Sequence, residues 1–74
     1  MQAAAEGTGT VVCFRDDRGF GFIRPEDATD RKSDIFFHLS NGGIDDDVQY
    51  GSVVHYADVR QEPKGRHAYR VWLA

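Results

Sequence analysis

The stretch Arg18-Gly19-Phe20-Gly21-Phe22-Ile23-Arg24 decides how this chain is read. Side chains alternate faces along a β-strand. Arg18, Phe20, Phe22 and Arg24 therefore fall on one face, and Gly19, Gly21 and Ile23 on the other. Unpaired charges are costly to bury, so the face with the arginines is the solvated one. Two phenylalanines then lie outside, between cations. Gly21 leaves the inner face without a side chain, where a neighbouring backbone or a bulky core residue can approach. A second stretch, Asp34-Ile35-Phe36-Phe37-His38-Leu39, repeats the logic. Ile35, Phe37 and Leu39 make one apolar face and belong in the core, while Asp34, Phe36 and His38 make the other.

With these two strands side by side, Phe20, Phe22, Phe36 and His38 form one exposed aromatic patch, a feature that usually marks a binding surface. A single aromatic in a strand is more often core than surface. Two glycines, arginines in phase and a second strand with the same pattern reverse that preference. Flat rings beside cations suit unstacked bases, whose rings stack on aromatics while their phosphates meet Arg or Lys.

The remainder of the chain is built the same way. From Gly9 onward, short β-branched and aromatic runs are separated by Gly, Asp and Asn clusters. This places strands near Thr10–Arg15, Gly19–Arg24, Asp34–Leu39, Ser52–Val59 and His67–Leu73. The connections are Asp16–Arg18, Pro25–Ser33, Ser40–Gly51 and Arg60–Arg66. No stretch carries a helical apolar period of useful length. Five short strands point to an all-β chain closed into a small barrel, which also removes exposed sheet edges. Residues 1–8 (MQAAAEGT) read as a small, polar, mobile lead, and residues 9–74 as one domain.

Composition narrows the function classes. The 74 residues hold 9 Lys+Arg and 12 Asp+Glu, a formal net charge of −3. Taken alone, that balance opposes a nucleic-acid partner, because phosphate binders usually carry a basic excess. Its distribution removes the objection. Residues 9–24 are +1 and 60–74 are +3, whereas 25–59 carry −6, mostly in connections. The pattern predicts a local, stacking-led site without a broad electrostatic clamp. The single Cys13 cannot form an internal disulfide. Cys13, His38, His55 and His67 have no paired ligand spacing, so no metal is expected. Asp45-Asp46-Asp47 lacks the alternating ligands and glycine of a calcium loop and reads as solvated. No nucleophile sits with a base, and no general acid and base are paired. An enzyme, a cofactor and a small-molecule substrate are therefore not expected. The longest apolar runs, Val11–Phe14 and Val71–Ala74, are too short to cross a bilayer. No basic-then-apolar leader opens the chain. A cytoplasmic setting without a membrane partner is the expectation.

These residues resemble the cold-shock domain family. Arg18–Ile23 is similar to its first ribonucleoprotein motif, and Ile35-Phe36-Phe37-His38-Leu39 to its second. Gly9-Thr10-Val11 resembles the leading strand, Gly51–Tyr56 the fourth, and Lys64–Val71 the closing loop and strand. The likeness runs from Gly9 to about Leu73. It implies a five-stranded antiparallel OB-fold barrel that binds single-stranded RNA and DNA, often as a nucleic-acid chaperone, with pyrimidine-rich stretches preferred. The family's stacking positions fall on Phe20, Phe22, Phe36 and His38, and its motif cation on Arg18. Phe14, Arg15 and Arg66 complete the expected contact set.

The chain also departs from that pattern. Cys13 stands where the family usually has an exposed Trp, Val12 where it has Lys, and Leu39 where an aromatic often follows the motif His. The loop after Ser40 is short and lacks a Phe, Ile44 being the nearest substitute. Each lost stacking platform is worth on the order of 1–3 kcal/mol, or roughly ten- to hundredfold in affinity. Trp72 and Tyr69 compensate if they face the patch, and the sequence leaves their direction open. A competing expectation is a protein-interaction barrel in which Cys13 and Val12 have eroded the nucleotide face.

Overall fold

The structure, a computed structural model, describes residues 6–30 and 33–74. Five strands follow the runs read from the sequence: β1 (Gly7–Arg15), β2 (Phe20–Pro25), β3 (Ile35–His38), β4 (Val53–Glu62) and β5 (Gly65–Leu73). They close into a barrel in the order β1-β2-β3-β5-β4. Four of the neighbouring pairs are antiparallel, and β3 lies parallel to β5, with Phe36 opposite His67. The expectation of a purely antiparallel barrel is corrected on this point. Strands that alternate in direction around a ring of five cannot be antiparallel at every contact, because five is odd. One parallel seam is unavoidable, and it falls between β3 and β5.

Several boundaries move. β1 begins at Gly7, two residues before the expected start of the domain. The Glu6 N–H donates to the Tyr56 carbonyl at 2.8 Å, and Thr8 Oγ1 is hydrogen-bonded to His55 Nδ1 at 2.8 Å. The rest of the expected mobile lead, residues 1–5, lies outside the described residues. β4 and β5 reach further towards each other than expected and form a hairpin about Pro63-Lys64, with Glu62 opposite Gly65. β3 stops at His38, because Leu39–Asn41 turn into a 3-10 segment. The His38 Nδ1 accepts the Ser40 N–H at 3.1 Å and caps that turn.

The core is the inner face of the strands. Ile23, Ile35, Phe37, Val54 and Ala68 are fully buried, and Val11 and Val71 nearly so. Across β2 and β3, Ile23 opposes Ile35 and Gly21 opposes Phe37. A Cβ placed on Gly21 would lie 2.7 Å from the Phe37 ring and 2.5 Å from the Cys13 carbonyl oxygen. The space left by Gly21 is thus filled by Phe37, as the residue pattern anticipates. Ile44 and Val48 fold inward from the β3–β4 connection. Ile44 bridges to Val71, and the Asp45 N–H donates to the Val71 carbonyl at 2.9 Å. Ile44 is therefore a core residue and no substitute for a surface aromatic.

Two stability measurements test this arrangement. Gly21→Ala forces a methyl against Phe37 and the β1 backbone, and overpacking of this kind costs about 1–3 kcal/mol. The urea midpoint is expected to fall accordingly, and an unchanged midpoint contradicts the packing described. The second test is alkaline. Burial pushes the Tyr56 phenol above its ordinary range, and nearby Asp27, Glu6 and Glu26 add to the effect against an opposing contribution from Arg66. A raised folded value favours the neutral phenol, so the stability is intact below the ordinary tyrosine value of about 10. It declines as pH rises through and above that value, because the unfolded chain ionises first. Urea midpoints measured on either side of pH 10 should show that decline, and Tyr56→Phe should lessen it.

Candidate nucleic-acid interface

The outer face of β2 and β3 carries the residues that the inner face rejects. In the register, Phe20 opposes His38 and Phe22 opposes Phe36. Residues directly opposed across an antiparallel pair have Cβ atoms about 4.5–5.5 Å apart, so these side chains cluster on one face. Phe36 is central: its ring centroid lies 5.7 Å from Phe20, 5.6 Å from Phe22 and 6.4 Å from His38. Phe20 and Phe22 meet edge to face at 6.4 Å. All four side chains are half-buried, each shielding its neighbours while part of it faces out. Edge and offset contacts between rings are the favoured geometries and hold the patch in place without a ligand.

The parallel seam extends this patch beyond the expected residues. His67 on β5 meets Phe36 edge-on at 4.9 Å, and Tyr69 stacks on His67 at 4.2 Å with 14° between the planes. The Arg60 guanidinium lies 4.5 Å from the centre of the Tyr69 ring, and the Tyr69 hydroxyl donates to Glu62. His67 is further hydrogen-bonded to Asn41 at 3.0 Å. Alternation along β5 already sets His67 and Tyr69 apart from buried Ala68. Only the β3–β5 adjacency, invisible in the sequence, brings them to Phe36. Of the two aromatics whose direction stood open, Tyr69 joins the patch. Trp72 lies apart, beside His55 on β4 at 5.9 Å.

Phe14 does not join it. β1 carries a bulge between Val11 and Cys13, where two residues of β1 face one of β2. Simple alternation from buried Val11 would turn Phe14 outward. The extra residue reverses the phase, so that Cys13 opposes Phe22 and Phe14 opposes Gly21. The Phe14 ring stacks on Phe37 at 6.2 Å, nearly parallel, and packs against the core. It is corrected from a surface contact to a packing residue. Cys13, its thiol free and half-buried, takes the outward place beside Phe22.

The cations lie at the edges. Arg18 is exposed in the β1–β2 turn, within the connection read from the sequence, and its backbone N–H donates to the Arg15 carbonyl at 3.1 Å. Arg15 opposes Phe20, and the two arginines line a small concavity with Asp17 and Phe20. At the other edge, Arg66 and Lys64 line a larger concavity with Phe22, Phe36 and His67. The Arg66 guanidinium donates to the Ser33 carbonyl at 3.1 Å. Arg24 is committed elsewhere. It grips Asp34 through two hydrogen bonds of 2.9 and 3.2 Å, and that contact holds the guanidinium firmly charged. It is not the unpaired flanking cation that alternation suggested. Among the described residues, no group of three or more His, Cys, Asp or Glu side chains is gathered as a metal site requires, and no helix is long and apolar enough to cross a membrane.

Comparison with known proteins agrees with this geometry. The family model of the 'Cold-shock' DNA-binding domain matches residues 7–74, starting where β1 starts. The chain is 44% identical over 62 residues to the "Cold shock-like protein CspD" of Escherichia coli strain K12, covering 81% of this chain and 78% of that protein. It is likewise 44% identical over 63 residues to the "Cold shock-like protein CspD" of Vibrio cholerae, covering 82% and 78%. The "Probable cold shock protein y4cH" of Sinorhizobium fredii is 34% identical over 62 residues, covering 80% and 84%. A closed five-stranded barrel with both aromatic motifs on adjacent strands, matched along nearly its whole length, places the chain in the cold-shock domain family of nucleic-acid-binding proteins.

Proposed function

We propose that this chain binds single-stranded RNA and DNA with little sequence preference, by stacking unpaired bases on Phe20, Phe22, Phe36 and His38, and that it acts as a nucleic-acid chaperone. The observation that carries this reading is the pair of alternate rungs Phe20–His38 and Phe22–Phe36, which sets four rings on one outward face. Bases within a duplex are already stacked on each other, so only unpaired bases have faces to offer. Every base has such a face, which makes stacking tolerant of sequence. Holding bases apart in this way opposes re-pairing, and that is the physical content of chaperone activity. His67 belongs to the same surface by its contact with Phe36.

The phosphates are left to Arg15 and Arg18 at one edge and to Lys64 and Arg66 at the other. This is a short list of cations on a chain of net charge −3, so affinity rests on stacking more than on counterion release. Titrations with oligo-dT and oligo-U at two salt concentrations test the balance. About −0.7 in the logarithmic salt slope is expected per neutralised phosphate, so contacts by these cations alone give a slope no steeper than about −3.

Substitution separates platform from core. Phe22→Ala and Phe36→Ala are expected to weaken oligo-dT binding by roughly ten- to hundredfold each while the barrel stays folded. Phe14→Ala is expected to do the opposite. It should lower stability by up to about 3 kcal/mol and leave the affinity of the folded protein unchanged. Wild-type affinity in folded Phe22 and Phe36 variants would falsify the stacking reading.

A further inference from the structure

The registers of three strand pairs align into one row across the barrel. His67 opposes Phe36, Phe36 opposes Phe22, and Phe22 opposes Cys13. Three members of the row are rings and the fourth is a small thiol. Neighbouring strands are about 4.8 Å apart, so the row is a continuous track. Beside its β1 end stands Tyr50, in the β3–β4 connection. At 73% exposed it is the most open of the large apolar side chains among the described residues.

The ring is open, but its backbone is fastened. The Gly51 N–H donates to the Val11 carbonyl at 2.9 Å, and the Val11 N–H to the Ser52 carbonyl at 2.9 Å. The Ser52 N–H closes back on the Gln49 carbonyl at 3.0 Å, and Ser52 Oγ accepts the Gln49 N–H at 3.1 Å. Val48, two residues earlier, is buried in the core. Tyr50 is therefore held at a fixed place against β1 and retains only its own rotamers. A side chain offered in this way loses little freedom when it binds.

Its surroundings indicate what it receives. Tyr50 lines a concavity with Val12, Cys13 and Phe22, which also holds the paired side chains of Arg24 and Asp34. Phe22 also lines the concavity that holds Phe36, His67 and Arg66. The two hollows share the Phe22 ring, so a strand of bases stacked on Phe22 can continue over the small Cys13 side chain towards Tyr50. On its far side Tyr50 borders Asp46 and Asp47, which repel phosphates and leave the Cys13 side as the approach.

We infer that Tyr50 is a further base-stacking platform, which takes the nucleobase following the one on Phe22 and so supplies at the loop the ring that Cys13 does not supply on β1. This rests on the proposal that single strands stack on Phe22 and Phe36. The test is a fluorescence-anisotropy titration of the full chain with oligo-dT from a trimer to an octamer. Wild type, Tyr50→Ala, Tyr50→Phe and Phe22→Ala are compared, with urea midpoints as a control for folding. Tyr50→Ala should bind the octamer about tenfold more weakly and the trimer like wild type, since a trimer is satisfied by the Phe patch. Tyr50→Phe keeps the ring and should match wild type at both lengths. The inference is overturned if Tyr50→Ala binds the octamer as tightly as wild type while Phe22→Ala does not, and the stacking proposal then survives. It is equally overturned if trimer and octamer weaken alike, because Tyr50 then adds no further base position. If wild type binds neither oligomer, both readings fall together.

Discussion

Everything on both faces of this barrel depends on one contact, the seating of Phe37 in the space that Gly21 leaves open. That contact sets β2 against β3 in a single register, with Ile23 on Ile35 inside and Phe22 on Phe36 outside. Because side chains alternate with a period of two, a slip of one residue would send the phenylalanines into the core and the isoleucines into water. The Phe37 ring cannot sit beneath any residue with a Cβ at that position without displacing the Cys13 backbone as well. The core and the outer aromatic patch are thus two consequences of one packing choice. A glycine between two phenylalanines is what makes it possible.

How far the sequence could be read follows from the same periodicity. Alternation within a strand is local, and it correctly separates Phe20, Phe22, Phe36 and His38 from Gly21, Ile23, Ile35 and Phe37. Relations between distant strands are not local, and there the reading stops. Nothing in residues 35–38 and 65–73 announces that β3 and β5 lie parallel, so His67 and Tyr69 could not be joined to Phe36. The bulge at Val12 and Cys13 is a one-residue change of phase, and it alone turns Phe14 from the patch to a place packed against the core. Arg24 was rightly placed on the outer face. Its pairing with Asp34 depends on the β2–β3 register, which alternation within either strand leaves open. Ile44 shows the limit of matching by residue type, since an apolar side chain in a loop serves the core as readily as a ligand.

The charge of the chain takes its meaning from this geometry. Acidic groups gather in the connections, among them Asp45, Asp46 and Asp47, while Arg15, Arg18, Lys64 and Arg66 bracket the aromatic row. A field of mixed sign gives little long-range steering, so encounter with a polyanion is governed by close contact. Some of the positive charge is also engaged internally. Arg60 grips Asp58 and covers Tyr69, and Arg24 grips Asp34. Exposed pairs such as Arg60–Asp58 contribute little to stability, with a median of about 0–1 kcal/mol. Their larger effect is to orient groups at the border of the patch.

A chain of this size has no room for a deep cleft, because its interior is filled by side chains from every strand. Any ligand must therefore be met on the outside, where apolar surface is costly to expose. The clustering of Phe20, Phe22, Phe36, His38 and His67 answers both demands. Each ring covers the edges of the next, which lowers the apolar area in contact with water before a ligand arrives. The same contacts fix the rings, so little conformational freedom is lost on binding. Lone rings spread over the surface would carry both costs in full. Cross-strand clustering is thus how so small a barrel can keep an aromatic patch on its surface and remain folded.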